Sequence, residues 1–299
     1  MKSEKEALIR EIVDTHIRQF IDGLEVRYRQ ETEDPLGVIN AKKNNAFISL
    51  LGEEFMFYSA FVRSFDSSFG KVLENMGNAI AKISYTVKGK IESYLLPQQT
   101  QHIDYLMTAY EKRDSKPKIS DYINFNCLIP SNVTSFLTSH ETDNYFYDEE
   151  KRCHYLIELK AGGDLDNKKA KSEKIALLNE FFILKNSLQN DDTVRIYFAT
   201  AYNKFGEGLP WRQERVQTFF AEDELLIGRD YWNFVCNDPE GFQVIFEQYK
   251  VSSEYMNRAL ERIKRLYFAA DDSKSSDNTD DKDYFPRQYR FDDNLNCIL

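Results

Sequence analysis

The chain has 299 residues and a mass of 35.2 kDa, enough for one large domain with a sizeable core. Hydrophobic residues make up 42% against 29% charged, which excludes an intrinsically disordered chain, and no segment approaches the roughly 18 apolar residues of a membrane span. The formal net charge of -10 weighs against a uniformly basic, phosphate-binding coat, yet it is unevenly spread: six Asp against two Lys crowd residues 271–283, whereas 152–215 holds eleven Lys and Arg against nine Asp and Glu.

The opening MKSEKEALIREIVD lacks an apolar leader, so a soluble, cytoplasmic protein is expected. The spacing of Leu8, Ile9, Ile12, Val13, Ile17, Phe20, Ile21 and Leu24 predicts an amphipathic helix over 3–24, with Ser3 and Glu6 as its capping box. Helical periodicity resumes over 40–63, and after a turn at SFDSSFG a third helix carries Val72, Leu73, Met76, Ile80 and Ile83 on one face. From about residue 120 the pattern becomes strand-like. NYFYDEEKRCHYLIELK reads as a β-hairpin turning at DEEK, 168–186 as a helix, and TVRIYFATAY as a buried strand. A polar loop, GEGLPWRQER, precedes helical sequence from Asp223 to Phe268, broken near NDPEG. The fold expected is a mixed α/β core, a central sheet flanked by helices with a helical N-terminal portion. Residues 1–270 are read as one domain, with 1–90 largely helical, 120–205 the α/β core and 206–270 loop and helices; 271–299 is an acidic linker and tail. Cys127, Cys153, Cys236 and Cys297 are scattered without a CxxC pair, which indicates neither a disulfide framework nor a zinc site.

The stretch YLIELKAGGDLDNKKAKSEK concentrates the chemistry. Alternate residues of a strand share a face, so Glu158 and Lys160 point together and Leu159 away. Counting back from the hairpin turn sets Asp143 roughly across from Leu156, within a residue or two of Glu158. Two carboxylates and an ammonium at one sheet end suit phosphodiester hydrolysis: the carboxylates hold Mg²⁺, and the lysine stabilises phosphate charge or positions and deprotonates the attacking water. Lys168, Lys169, Lys171 and Lys174 can meet backbone phosphates or can be the wet face of a helix. Trp211, Arg212 and Arg215 occupy a loop suited to arginines that read guanine in the major groove, and equally suited to surface packing.

Asp143, fourteen intervening residues and then Glu158-Leu159-Lys160 resemble the D…(D/E)xK signature of the PD-(D/E)xK nuclease superfamily. Thr142 departs from it, standing where proline is frequent. The phrases ELKAGGDLDNKKAKSEK and ELLIGRDYWNF resemble more narrowly the type II restriction endonucleases of the TdeIII and MjaII kind, over residues 35–265. That resemblance implies a restriction-endonuclease-like core and a homodimer that cuts double-stranded DNA with Mg²⁺ at a palindrome of the GGNCC type. It also implies a DNA methyltransferase as companion in a restriction-modification pair. Asp143 and Glu158 become metal ligands, Lys160 completes the hydrolytic site, and an earlier helix adds another acid, Glu74 in preference to Glu54.

The plainer alternatives are definite. Asp143 has Glu141 and Asp148 as rivals, and His140, Glu141 and His154 could imitate a zinc site. Another nuclease of the superfamily, such as a repair or structure-specific enzyme, and a noncatalytic DNA-binding protein are the alternative functions. A nucleotide-binding enzyme is disfavoured because neither GxGxxG nor GxxxxGK[ST] occurs.

Overall fold

The computed structural model describes residues 1–34, 36–37, 41, 44–128, 136–188 and 191–275; the acidic linker beyond Ser275 and the tail lie outside them. Helix α1 (Ser3–Glu33) starts one residue earlier than a Ser3 cap would allow. Lys2 is the capping position and its carbonyl accepts from the Glu6 amide at 3.0 Å, so Ser3 is already helical and Glu6 pairs with Arg10 instead. After the short α2 (Ala46–Ser49), Gly52 at φ 90° breaks the expected 40–63 helix. Helix α3 (Glu53–Ala81) then runs unbroken through SFDSSFG, where a turn was expected. Its Phe57, Phe61, Phe65 and Phe69 recur every four residues with successive ring centroids 5.4–6.0 Å apart, and Phe20 of α1 packs on the last two. This aromatic ladder outweighs the weak helix propensity of the serines and glycine.

Next come β1 (Thr86–Tyr94), α4 (Pro97–Glu111) and the single turn α5 (Ser120–Ile123). The hairpin follows as β2 (Leu137–Asp148) and β3 (Cys153–Lys160), then α6 (Asn167–Ser187), β4 (Thr193–Thr200), the turn α7 (Glu214–Gln217), β5 (Leu225–Ile227), α8 (Arg229–Cys236) and α9 (Gly241–Ser275). The five strands lie in the order β1-β2-β3-β4-β5, antiparallel up to β3 and parallel from β3 to β5. A parallel β3–β4 pair needs a crossover, and α6 supplies it.

Each sheet face has its own core. On one, Phe146, Tyr155, Ile157 and Ala199 pack with α1, α3, α8 and α9; on the other, Tyr145, Leu156, Ile196 and Phe198 pack with α4 and α6. Helices α1 and α9 lie side by side and parallel, linked by Arg10–Glu247, Asp14–Ser252, Asp22–Tyr255 and Glu25–Arg262. Among the described residues no helix is long and apolar enough to cross a membrane.

One member of the lysine run is no part of a wet face. Lys174 is 1% exposed, its ammonium 2.5 Å from Glu224 Oε1 and lying over the rings of Tyr122 and Phe220. The same carboxylate oxygen accepts from the Tyr122 hydroxyl at 2.7 Å, and Oε2 accepts from the Ala221 amide. A fully buried charge needs this degree of partnering to be tolerated.

Candidate functional site

The β2–β3 ladder closes tightly at the turn, with Asp148 opposite Cys153, and runs to Asn144 opposite Ile157. Tyr145, and not Asp143, stands across from Leu156. Continuing the count one step past the ladder sets Asp143 opposite Glu158. On the β1 side the register jumps between Lys88 and Lys90, so the single residue Gly89 faces Thr142, Asp143 and Asn144. The backbone of Asp143 therefore lies in a bulge of β2 against β1.

Glu158 and Lys160 share the α6 face with Leu156, while Leu159 packs in the opposite core. The Lys160 ammonium lies 2.5 Å from Glu158 Oε1 and 2.9 Å from Oε1 of Glu173 on α6. Burial alone would lower the Lys160 pKa, but the two carboxylates outweigh it and hold the value above that of an ordinary lysine. Sequence reasoning overlooked Glu173. Its signal is an acid one turn ahead of Leu177 and one turn after Ala170, on a helix side whose other members are buried.

Glu74 and Glu54 lie on the same helix about 30 Å apart at 1.5 Å per residue. Glu74 is 16% exposed and paired with Lys71. Its charge, after burial, helps to raise the Tyr231 phenol, whose hydroxyl donates to Asn144 Oδ1 at 3.4 Å. Here α3 passes so close to α8 that a Cβ on Gly77 would overlap the Tyr231 hydroxyl, with Asn144 Oδ1 of β2 at 3.8 Å. Glu54 lies instead in the first turn of α3, within the electrostatic reach of Lys264. Of the rivals to Asp143, Asp148 is engaged by the amide and ammonium of Lys151 at the turn, and Glu141 pairs in register with Lys90. His154 stacks on Tyr147 near the turn, while His140 pairs with Ile91 on the far edge, so the imagined zinc set is dispersed.

Among the described residues no three His, Cys, Asp or Glu side chains stand close enough to hold a metal ion; the side chain of Asp143 is outside that description. The donor chemistry nevertheless fits Mg²⁺. The ion binds through one or two carboxylates and keeps several waters, and Glu158 offers such an oxygen donor, 16% exposed, at the end of β3.

Beyond Lys160 the chain turns at Gly162 and Gly163. Gly163 has φ 67°, and a Cβ there would lie 2.6 Å from Thr200 Cγ2. Gly163→Ala is expected to destabilise the fold by about 2 kcal/mol, combining left-handed strain with overlap, which a denaturant titration measures. Asp164 fastens this turn to the next loop through Lys204 and Gln213, both at 3.0 Å; Lys204 foremost holds its carboxyl below the usual range, with Arg215 contributing. Asp166 caps α6 through the Lys169 amide. Lys168 and Lys169 are exposed, Lys171 pairs with Glu111 at 2.7 Å, and Arg212 and Arg215 are exposed around the partly buried Trp211.

The mixed sheet flanked by helices and the charged end of its hairpin belong to a restriction-endonuclease-like fold, and the class of protein is a site-specific deoxyribonuclease. The chain belongs to the HinfI family of type II restriction endonucleases, whose description, "Type II restriction endonuclease, HinfI", matches residues 5–253. No curated protein matches the chain.

Proposed function

We propose that the protein cleaves double-stranded DNA with Mg²⁺ at the end of the β2–β3 hairpin, using Asp143, Glu158 and Lys160. The observation that carries this reading is the Glu158–Lys160 pair on one strand face, with Asp143 one step beyond the Asn144–Ile157 pair in the β2–β3 count. Asp143 and Glu158 would hold the ion, and Glu74, which lies on α3 at the other face of the sheet, is the helix acid proposed to join them. When bound, Mg²⁺ supplies Lewis acidity toward the phosphate and lowers the pKa of a coordinated water. Lys160 brings a protonated ammonium to the scissile phosphate, where it offsets charge building on oxygen. The exposed Lys168 and Lys169, at the α6 N-terminus a few residues after Lys160, meet the flanking phosphates together with Lys171. Arg212 and Arg215 reach base edges from the loop tied to Asp164.

Two protomers would act together, since a palindrome read by one protein calls for two-fold symmetry and one site per strand. The likeness to the TdeIII and MjaII kind extends the proposal to a GGNCC-type site and to a DNA methyltransferase as functional companion. Plasmid incubated with Mg²⁺ is expected to give discrete fragments whose sequenced ends share one palindrome, and EDTA should abolish cutting. Fragments with no common sequence would favour a repair or structure-specific nuclease. Intact plasmid that still shifts in a gel would make the protein a noncatalytic DNA binder.

A further inference from the structure

We infer that Glu173 is a positioning residue for Lys160, a second anchor that keeps the ammonium aimed when Glu158 turns to the metal. The inference rests on the reading of Glu158 and Lys160 as the hydrolytic pair. Lys160 bridges two carboxylates from different elements, Glu158 two residues earlier on β3 and Glu173 on α6. Glu158 cannot serve the ion and the ammonium equally, because both draw on the same carboxylate charge. Once it does the former, Glu173 is the charged partner left to Lys160 among the described residues.

The placement of Glu173 is stiff. Its neighbour Lys174 is locked into Glu224 at 2.5 Å, and Ala170 and Leu177, one turn to either side, are buried, so α6 cannot rotate here without breaking that buried pair. Glu173 itself is 22% exposed and Lys160 31%, so the contact is partly shielded from solvent, unlike the surface pairs whose worth is small. A side chain held this way lets a long lysine keep one direction, the usual task of groups that support a reacting side chain.

The test uses the full chain with Glu173→Gln, Lys160→Ala and the Lys160→Ala/Glu173→Gln double variant. Single-turnover cleavage at saturating DNA, DNA affinity in Ca²⁺ and Mn²⁺ binding by calorimetry are measured for each. Glu173→Gln is expected to slow the cleavage step about 10–100-fold, with DNA and Mn²⁺ affinities unchanged, and the double variant should be no slower than Lys160→Ala alone, since both changes act through one group. Weakened Mn²⁺ binding in Glu173→Gln would overturn the proposal by making Glu173 a ligand, and additive losses in the double variant would overturn it by uncoupling the two residues. Full cleavage by Glu173→Gln beside an inactive Lys160→Ala would remove Glu173 and leave the site reading intact. Full cleavage by Lys160→Ala would remove the site reading itself. Should Glu173→Gln fail to fold, Glu173→Asp carries the same comparison, with a rate between the two.

Discussion

Lys160→Ala should slow single-turnover cleavage by about 10²–10⁴-fold, the range for losing a group that transfers a proton or stabilises charge in the transition state, while DNA affinity measured in Ca²⁺ stays within a few-fold. The asymmetry follows from where Lys160 stands. It is partly buried at the end of β3 and engaged with two carboxylates, so it contributes little to the exposed cationic surface that meets the backbone, and much to the single phosphate that is cut. Glu158→Ala should lose cleavage to a similar degree but by another route, since it also weakens Mn²⁺ binding in calorimetry. A Lys160→Ala protein that cut at full rate, or lost DNA binding in proportion to cleavage, would take Lys160 out of the chemistry.

The second large effect is on stability. Lys174→Ala should cost about 3–5 kcal/mol, because it strands the Glu224 carboxylate in a space from which water is excluded; the expected fall in Tm is on the order of 10 °C. Tyr122 and the Ala221 amide would still satisfy part of Glu224, but neither carries a charge. Replacing both partners, Lys174→Met with Glu224→Leu, should recover much of the loss, as apolar replacements of buried ion pairs commonly do. Neither variant should alter the salt dependence of DNA binding, whereas loss of Lys168 or Lys169 should reduce that slope by about one phosphate contact each. If Lys174→Met weakened DNA binding without lowering Tm, Lys174 would belong with its exposed neighbours after all.

What the sequence discloses here tracks how local each signal is. β3, α6 and β4 are readable because each is a long apolar run whose period matches its element, and the shared face of Glu158 and Lys160 needs only the two-residue repeat of a strand. The opposition of Asp143 to Leu156 is off by two residues, because the hairpin closes at Asp148 and Cys153 with Arg152 at φ 49°, a tightness that DEEK does not announce. β1 escapes notice because TVKGKIESY buries only Ile91 among otherwise polar or half-exposed residues, and β5 is three residues long. Lys174 is misread for a different reason: its partner lies fifty residues on, and nothing adjacent distinguishes it from Lys171. The aromatic ladder that carries α3 through SFDSSFG is visible as a four-residue phenylalanine repeat, but its strength depends on Phe20 of α1.

The strand order has a consequence for how the protein is made. Among the described residues every strand lies beside its neighbour in sequence, so the sheet can zip up in the order in which the ribosome delivers it. The opposite holds for α1, whose contacts with α9 join residues more than two hundred positions apart. Helix α1 must wait for α9 to be made, holding out Ile9, Val13, Ile17 and Ile21, all buried in the folded protein. The newborn chain is therefore vulnerable to aggregation along α1, and the docking of α9 completes the cover of that helix.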